Sequence, residues 1–318
     1  MEQINKIIIT NENILSSKKD TFKKSYTFNA TDNGLNDKII VISDFDFTLN
    51  NKFNYETGKR YESSYGCFDK GVFGCDQEKF TKERLETRAK YIKYEEDNSF
   101  PLELRKEKLY EWNKIALKHM SDENFTRDHV KLMIENNREQ IHFKKNVKEF
   151  YEKLIKLNIP IILVSGGVKE MIEEMLKMLN IEGLDDYFKR KRIFIIANEF
   201  KFDEKTKKCT GIREDIVYGY NKPEYVKNLV DKYFPNIENI LVLGDLVTDY
   251  ESISLLKMNK DKNVIGIGFI FFTPSEYKKG IDVNNNENIK FYQTVFDIVL
   301  LLDEGYDYPL KLLSIFSQ

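Results

Sequence analysis

Residues 38–50, with the sequence KIIVISDFDFTLN, decide the fold. A short apolar run that ends in acidic residues is typical of a β-strand covered on both faces. Asp44 and Asp46 are two residues apart, so where the strand geometry persists both carboxylates lie on the same side beyond its end. Such a pair favours a divalent cation or a shared proton. The DxDxT pattern that Thr48 completes is also consistent with a capping or solvated turn.

Similar apolar runs recur along the chain and alternate with stretches of helical periodicity. The further runs are residues 159–164, 193–197, 239–243, 264–272 and 298–302. The helical stretches between them include residues 145–157, 168–179, 223–232 and 250–257. This alternation predicts an α/β fold with a doubly wound parallel sheet, whose right-handed crossovers bring the strand C-termini to one edge, where ligands bind.

The alternation disappears between residues 51 and 143. Helix-favouring, charged segments occupy this region at residues 77–93, 102–120 and 124–134. They follow an irregular stretch at 61–74 that is rich in Gly, Tyr, Ser and Cys. We therefore expect a helical cap at 51–143, inserted after the first strand of a catalytic core made of residues 37–50 and 144–318.

Composition narrows the class of protein. The 318 residues are 41% hydrophobic and 32% charged, which is typical of a globular protein with a sizeable core. A net charge of −2 argues against a nucleic-acid partner. The apolar run at 264–272 is too short for a membrane span, and the N-terminus lacks the pattern of a secretory signal. We expect a cytoplasmic protein, taken to be a monomer, whose residues 1–36 form a surface extension or peripheral element.

Cysteine and histidine give no sign of a metal or redox site. The residues are Cys67, Cys75, Cys209, His119, His129 and His142. Because the cysteines are odd in number and lack CxxC spacing, we expect neither a disulfide framework nor a structural zinc site. The histidines lie in polar, helical-looking stretches, where structural roles are the ordinary outcome.

A hydroxyl and two glycines follow the second core strand, at Ser165, Gly166 and Gly167. Placed before a helix, this sequence offers a side-chain donor and free backbone N–H groups to an anion. An ordinary N-cap at Ser165 beside a tight turn explains the same residues equally well.

Two further segments carry charged residues at the ends of predicted elements. Lys222 opens a helix, where a solvated lysine is the ordinary alternative. Gly244-Asp245 ends a strand and is followed by Asp249, so that Asp245 can reach a metal and Asp249 can hold its neighbours. The alternative is an acidic helix N-terminus. The Gly266–Gly268 pair lacks the third glycine of a dinucleotide fingerprint and the lysine of a phosphate-binding loop.

Together these residues resemble the haloacid dehalogenase-like (HAD-like) superfamily. Its motifs are DxDxT, a Ser or Thr after the second strand, a Lys before a helix, and GDxxxD. The matching residues, in chain order, are Asp44, Asp46, Thr48, Ser165, Lys222, Asp245 and Asp249. The resemblance covers residues 38–260 and implies a Rossmann-like HAD core with a cap.

The cap carries a closer resemblance, to the cytosolic pyrimidine 5′-nucleotidase family, also called cytosolic 5′-nucleotidase III. The similar segments are residues 94–97, 111–112, 195–198 and 202–204. The resemblance implies that Glu95 contacts the nucleobase and that Ser165, Gly166 and Lys222 bind phosphate. Ala116 stands where the family presents a serine to the base, which leaves the base preference open. Trp112 fits either stacking near a base or packing in a core.

The resemblance implies Mg²⁺-dependent hydrolysis of pyrimidine nucleoside 5′-monophosphates. Asp44 would attack phosphorus and form an aspartyl-phosphate, while Asp46 serves as general acid and base. Asp44, Asp245 and the backbone carbonyl of Asp46 would hold the cation, with Thr48 and Asp249 in support. Two alternatives stay open: a phosphatase for another small phosphate ester, such as a sugar phosphate, and a protein that binds nucleotide without catalysis.

Overall fold

The structure is a computed structural model that describes residues 6–29, 38–70, 76–97, 99–257 and 262–316. The strands in these ranges are β1 (Ile7–Ile9), β2 (Ile39–Ser43), β3 (Ile161–Val168), β4 (Ile193–Asn198), β5 (Phe200–Phe202), β6 (Cys209–Ile212), β7 (Asn239–Gly244), β8 (Asn263–Ile270) and β9 (Ile298–Leu301). The helices before the second core strand are α1 (Glu12–Asn29), α2 (Gln77–Tyr91), α3 (Lys93–Glu96), α4 (Leu102–Ser121), α5 (Arg127–Asn136) and α6 (Val147–Leu157). Those after it are α7 (Lys169–Met178), α8 (Leu184–Lys189), α9 (Lys222–Tyr233), α10 (Val247–Glu251), α11 (Ser254–Lys257), α12 (Pro274–Lys279), α13 (Glu287–Gln293) and α14 (Asp307–Phe316).

A seven-stranded sheet organises the molecule, with strand order β1-β9-β8-β7-β2-β3-β4. The pairs from β9 to β4 are parallel, whereas β1 pairs antiparallel with β9 at the edge. Each apolar run that the sequence singles out forms a strand of this sheet. The predicted doubly wound α/β fold, with helices inserted after the first core strand, is confirmed.

The register of the central strands determines where the polar residues lie. Ser43, the last residue of β2, pairs with Leu163 on β3 and with Leu243 on β7. All residues of β2 are buried, as expected for a strand covered on both faces. The segments that follow β2 and β7 therefore begin beside the C-terminal half of β3, at one edge of the sheet.

Apolar helix faces cover the sheet. On α6, residues such as Phe150 and Leu154 are buried against one face, and Val226 and Val230 of α9 are buried against the other. This burial follows from apolar residues that recur at helical spacing in a stretch of otherwise polar sequence. Because both faces are covered, the exposed edge of the sheet is the place where polar groups can gather.

The insertion docks on a core hairpin formed by β5 and β6 through α4 and the segment just before α5. An aromatic cluster joins the two parts, in which the Phe125 ring lies 5.3 Å from Phe68 and 5.0 Å from Phe200. The backbone continues the contact, since the Cys209 amide donates to the Phe125 carbonyl at 2.8 Å. The cap is therefore anchored to the core through this hairpin.

Several elements were not predicted. The hairpin of β5 and β6 and the short helix α8 lie in stretches without clear periodicity. At the N-terminus, β1 extends the sheet, and α1 buries Leu15 and Phe22 in the core. The division into an N-terminal extension, a core and a cap remains a prediction.

The histidines and the described cysteines have structural surroundings. His129 closes a capping box with Thr126 at the start of α5. His119 and His142 lie against the rings of Phe80 and Tyr61. Cys67 and Cys209 are free thiols, and Cys75 lies outside the described residues. Within the described ranges, no helix has the length and apolar character to cross a bilayer.

Candidate active site

Three buried carboxylates meet at the sheet edge. Asp44 follows β2, Asp245 follows β7, and Asp249 lies in α10; their side chains are 9%, 8% and 3% exposed. Each offers a carboxylate oxygen, and these oxygens lie within 4.8 Å of one another. The close approach of Asp249 depends on Gly244, where an added Cβ would lie 2.3 Å from the Asp249 Cβ. The structure thus brings together acidic residues that are about 200 positions apart in the chain.

Lys222 joins two of these acids. Its Nζ donates to Asp44 Oδ1 at 2.8 Å and to Asp249 Oδ1 at 2.7 Å, and the residue is 5% exposed. Burial opposes the positive charge, but the two carboxylates outweigh it and raise the pKa of Lys222 above its ordinary value. Lys222 is therefore a buried cation of the site and not a solvated lysine.

Burial and mutual repulsion shift the pKa values of the Asp44 and Asp245 carboxyl groups. Burial, reinforced by repulsion from Asp249, raises the pKa of Asp245 to about 7. The pKa of Asp44 is also raised, by burial first and by Asp249 second, although Lys222 opposes the shift. One ammonium among three buried carboxylates leaves an excess of negative charge on oxygen donors, which is the environment that Mg²⁺ prefers.

Both carboxylate oxygens of Asp249 have hydrogen-bond partners. Oδ1 accepts from Lys222, and Oδ2 accepts from the backbone amide of Leu246 at 2.9 Å. Thr48, which is fully buried, donates to Asp44 Oδ2 at 3.4 Å. Asp249 and Thr48 thus contact the charged side chains of Lys222 and Asp44, and their supporting roles remain a prediction.

Asp46 lies beside a residue that the sequence did not point to. Ser64 donates its backbone N–H to Asp46 Oδ1 at 2.7 Å and its hydroxyl to Oδ2 at 2.5 Å. Burial raises the pKa of Asp46 above its ordinary value even though the two hydrogen bonds from Ser64 lower it. Ser64 belongs to the irregular stretch at 61–74, whose sequence carries no pattern that could single it out.

Ser165, Gly166 and Gly167 lie within the C-terminal half of β3 and not after it, because the strand continues through a register shift to Val168. They form the next wall of the site. Ser165 is buried and its Oγ accepts from the Gly167 amide at 2.9 Å. Since α7 begins at Lys169 with Val168 as its N-cap, Ser165 is not a helix cap. Gly167 cannot carry a side chain here, because an added Cβ would lie 2.3 Å from Ser64 Oγ and 3.2 Å from Asp46 Oδ2.

Asn198 fixes this segment from the end of β4. Its Nδ2 donates to the carbonyls of Gly166 at 2.7 Å and Val217 at 2.9 Å, and its Oδ1 accepts from the Val217 amide at 2.9 Å. Asn198 therefore ties the Ser165 segment to the loop that precedes Lys222. The sequence comparison with a known family included Asn198 but assigned it no role.

On the cap, Glu95 lies in α3 and is exposed. Arg105 of α4 holds this turn by donating to the carbonyls of Tyr94 at 2.9 Å and Glu95 at 3.2 Å. The charge of Glu95 contributes to the raised pKa of Asp245, so the carboxylate is within electrostatic range of the acidic edge. Trp112 and Ala116 are half-buried on α4.

Comparisons with known proteins show the family of this chain. A model of the pyrimidine 5′-nucleotidase (UMPH-1) family matches residues 47–317. A 7-methylguanosine phosphate-specific 5′-nucleotidase from Drosophila melanogaster is 24% identical over 89% of this chain and 81% of its own. The protein of the same name from Homo sapiens is 25% identical over 86% of this chain and 83% of its own.

A solved structure shows the same fold. Cytosolic 5′-nucleotidase IIIB bound to cytidine superposes with a TM-score of 0.77 at 20% identity, over 99% of this chain and 95% of that one. The family match includes the cap as well as most of the core, and it favours a 5′-nucleotidase over a sugar phosphatase or a non-catalytic binding protein. The chain therefore belongs to the pyrimidine 5′-nucleotidase family and is a 5′-nucleotidase with a HAD-like fold.

Proposed function

We propose that this protein hydrolyses pyrimidine nucleoside 5′-monophosphates to nucleoside and phosphate through an aspartyl-phosphate, with Mg²⁺ as cofactor. The observation that carries the proposal is the meeting of Asp44, Asp245 and Asp249 around Lys222 at the sheet edge. A phosphate monoester is a dianion, so an acidic nucleophile can approach it only where cations and fixed donors offset the repulsion.

Asp44 is the proposed nucleophile. Its carboxylate follows β2 and is held by hydrogen bonds from Lys222 and Thr48. Attack forms an Asp44 oxygen–phosphorus bond and breaks the bond from phosphorus to the 5′ oxygen. Lys222, the hydroxyl of Ser165 and the amide of Gly166 would bind the transferring phosphoryl oxygens as their charge develops.

Asp46 is the proposed general acid and base. It would give a proton to the departing 5′ oxygen and later take one from the water that attacks the aspartyl-phosphate. The raised pKa of Asp46, caused by burial, favours the protonated carboxyl that the first step requires. Its position beside Ser165 and Gly167 supports a role next to the phosphoryl group.

The acidic cluster fits a magnesium ion. Asp44, Asp245 and the backbone carbonyl of Asp46 would hold it, while Asp249 stays engaged with Lys222 and Leu246. When bound, the ion neutralises charge between the nucleophile and the phosphate oxygens.

Glu95 is the proposed reader of the base. Its charge acts on the Asp245 carboxyl, which supports a position near the acidic edge. A second candidate substrate is 7-methylguanosine 5′-monophosphate, because similar proteins bear that specificity in their names. We also propose a monomer located in the cytosol, where a structurally similar enzyme is placed by its name, that acts on small nucleotides without a nucleic-acid or membrane partner.

Phosphate release from a substrate panel tests this function. CMP, UMP, 7-methylguanosine 5′-monophosphate, AMP and glucose 6-phosphate would each be assayed with Mg²⁺ and with EDTA. We expect hydrolysis of CMP and UMP that EDTA abolishes and Mg²⁺ restores. If 7-methylguanosine 5′-monophosphate were the preferred substrate, the proposed pyrimidine specificity would be wrong. Activity that survives chelation would refute the proposed dependence on Mg²⁺.

A further inference from the structure

We propose that Ser64, a residue of the cap loop, is the positioning residue for Asp46 and keeps that carboxyl aligned with the leaving oxygen. This inference rests on the proposed function of Asp46 as general acid and base. It extends that function across the boundary between the two parts of the chain, since Asp46 belongs to the core loop and Ser64 to the insertion.

Ser64 donates a hydrogen bond to each carboxylate oxygen of Asp46, and the contact is shielded from solvent. One residue supplies both donors, the backbone N–H to Oδ1 at 2.7 Å and the hydroxyl to Oδ2 at 2.5 Å. Two parallel hydrogen bonds fix the plane of a carboxyl group as well as its position. Ser64 is 0% exposed, so water does not compete for these bonds.

Ser64 is itself held in place relative to the core loop. Asn50, at the end of the DxDxT segment, accepts from the Phe47 amide at 2.6 Å and donates to the Glu62 carbonyl at 2.9 Å. Asn50 is fully buried, and its two bonds link the loop that carries Asp46 to the loop that carries Ser64. Gly167 leaves the space that the Ser64 hydroxyl occupies, because an added Cβ would lie 2.3 Å from Oγ.

A serine suits both halves of the reaction. A hydroxyl can donate to an ionised carboxylate or accept from a protonated one. When Asp46 transfers its proton to the 5′ oxygen, and when it later takes a proton from water, the hydroxyl of Ser64 can turn while its backbone N–H keeps the carboxyl in place. Each oxygen of Asp46 retains a second lone pair for the travelling proton.

The leaving group separates this role from a merely structural one. The 5′ oxygen of a nucleoside departs as a poor anion and needs a proton, whereas para-nitrophenolate leaves without one. Misalignment of Asp46 should therefore reduce kcat/KM for CMP more than for para-nitrophenyl phosphate, because kcat/KM covers the steps through departure of the first product. Damage to the fold or to phosphate binding would reduce both equally.

The experiment compares Ser64→Ala with the neighbouring Ser63→Ala, in which the hydroxyl that is lost contacts the Gly66 amide. We expect Ser64→Ala to lower kcat/KM for CMP about tenfold to hundredfold, a part of the roughly 10²–10⁴ that general acid catalysis supplies. The loss on para-nitrophenyl phosphate should stay below about threefold, and Ser63→Ala should show no difference between the substrates. Equal losses on both substrates in Ser64→Ala would overturn the proposal.

A double-variant cycle gives a second readout. If Ser64 acts through Asp46, adding Ser64→Ala to Asp46→Asn should cost little more for CMP than Asp46→Asn alone, and a full additional loss would contradict the proposal. Should Ser64→Ala not fold, Ser64→Cys retains the side-chain size with a weaker donor and should show the same substrate split. A wild-type chain that hydrolyses no nucleotide would instead refute the proposed function itself.

Discussion

The catalytic edge and the cap differ in how their polar residues are held. At the edge, Asp44, Lys222 and Asp249 are buried, and Lys222 donates to both carboxylates at 2.7 to 2.8 Å. On the cap, Glu95 is exposed and sits on a short helix that Arg105 holds through backbone carbonyls. The edge is organised before a substrate arrives, whereas the cap presents a side chain to solvent.

We expect this difference to separate the chemical step, at the edge, from substrate selectivity, at the cap. Strand ends that are fixed by a ladder of backbone hydrogen bonds place reacting groups accurately, as the pairing of Ser43 with Leu163 and Leu243 shows. A base-reading side chain can tolerate more freedom, since it contributes binding energy and takes no part in bond cleavage. Changes at the edge should therefore act on kcat, and changes at the cap should act on KM.

The largest expected effect is that of Asp44→Asn. Loss of the nucleophile should abolish turnover, and the fold should persist because the site lies at the sheet edge. Phosphate release and thermal unfolding would be measured together, with Asp231→Asn on the exposed face of α9 as the control. Turnover near the wild-type rate in Asp44→Asn would show that Asp44 is not the nucleophile.

Lys222→Met should have the next largest effect. It removes the proposed phosphoryl donor and leaves two buried carboxylates without their shared cation, so kcat should fall by about 10²–10³-fold. Thermal unfolding should show a lower midpoint as well, since an unpaired buried charge is destabilising. If kcat were unchanged while only KM rose, Lys222 would be a binding residue without a role in the transition state.

Glu95→Gln tests whether a change on the cap acts on KM and not on kcat. Losing a charged hydrogen bond to the base should raise KM for CMP about tenfold or more. KM for para-nitrophenyl phosphate, which has no base, should change little. Glu103→Gln, on the first turn of α4 and paired with Lys106, serves as the matched control. A similar rise for both substrates would remove Glu95 from base recognition.

A smaller effect concerns the stability of the metal-free protein. The pKa of Asp245 is raised from 3.8 to about 7, so the folded chain binds more protons than the unfolded chain between these values, and stability is lost as the pH rises through about 7. Glu170, whose burial raises its pKa to about 6, acts in the same direction. Burial lowers the pKa of Lys144 to about 7. Above pH 7 the unfolded chain therefore binds more protons at this residue than the folded chain, so Lys144 makes stability rise with pH.

The test window is therefore pH 5 to 7, in EDTA. The unfolding temperature of the wild type should fall across this window, and that of Asp245→Asn should fall less, ending about 2–4 °C higher at pH 7. Addition of Mg²⁺ at pH 7 should stabilise the wild type but not the variant. Parallel profiles for the two proteins would contradict the raised pKa of Asp245.

The sequence allowed prediction of the edge better than of its surroundings. Asp44 and Asp245 each follow an apolar run, and parallel strand order brings such ends together whatever the intervening sequence. Ser64 could not be predicted because its loop has no period and its partner lies in another part of the chain. Asn198 lies in a segment that resembles the family, but its hydrogen bonds to the Gly166 and Val217 carbonyls depend on tertiary contacts that the sequence does not reveal. The edge strand β1 is only three residues long, too short for a pattern.

The most direct test of the central claim is the identification of the phosphorylated residue. The enzyme would be mixed with CMP and Mg²⁺, quenched in acid, and treated with borohydride, which reduces an acyl phosphate on aspartate to homoserine. Mass spectrometry of the peptide that contains residues 38–50 should find homoserine at position 44 and aspartate at position 46. Homoserine at another aspartate, or turnover without any acyl phosphate, would contradict the proposed mechanism.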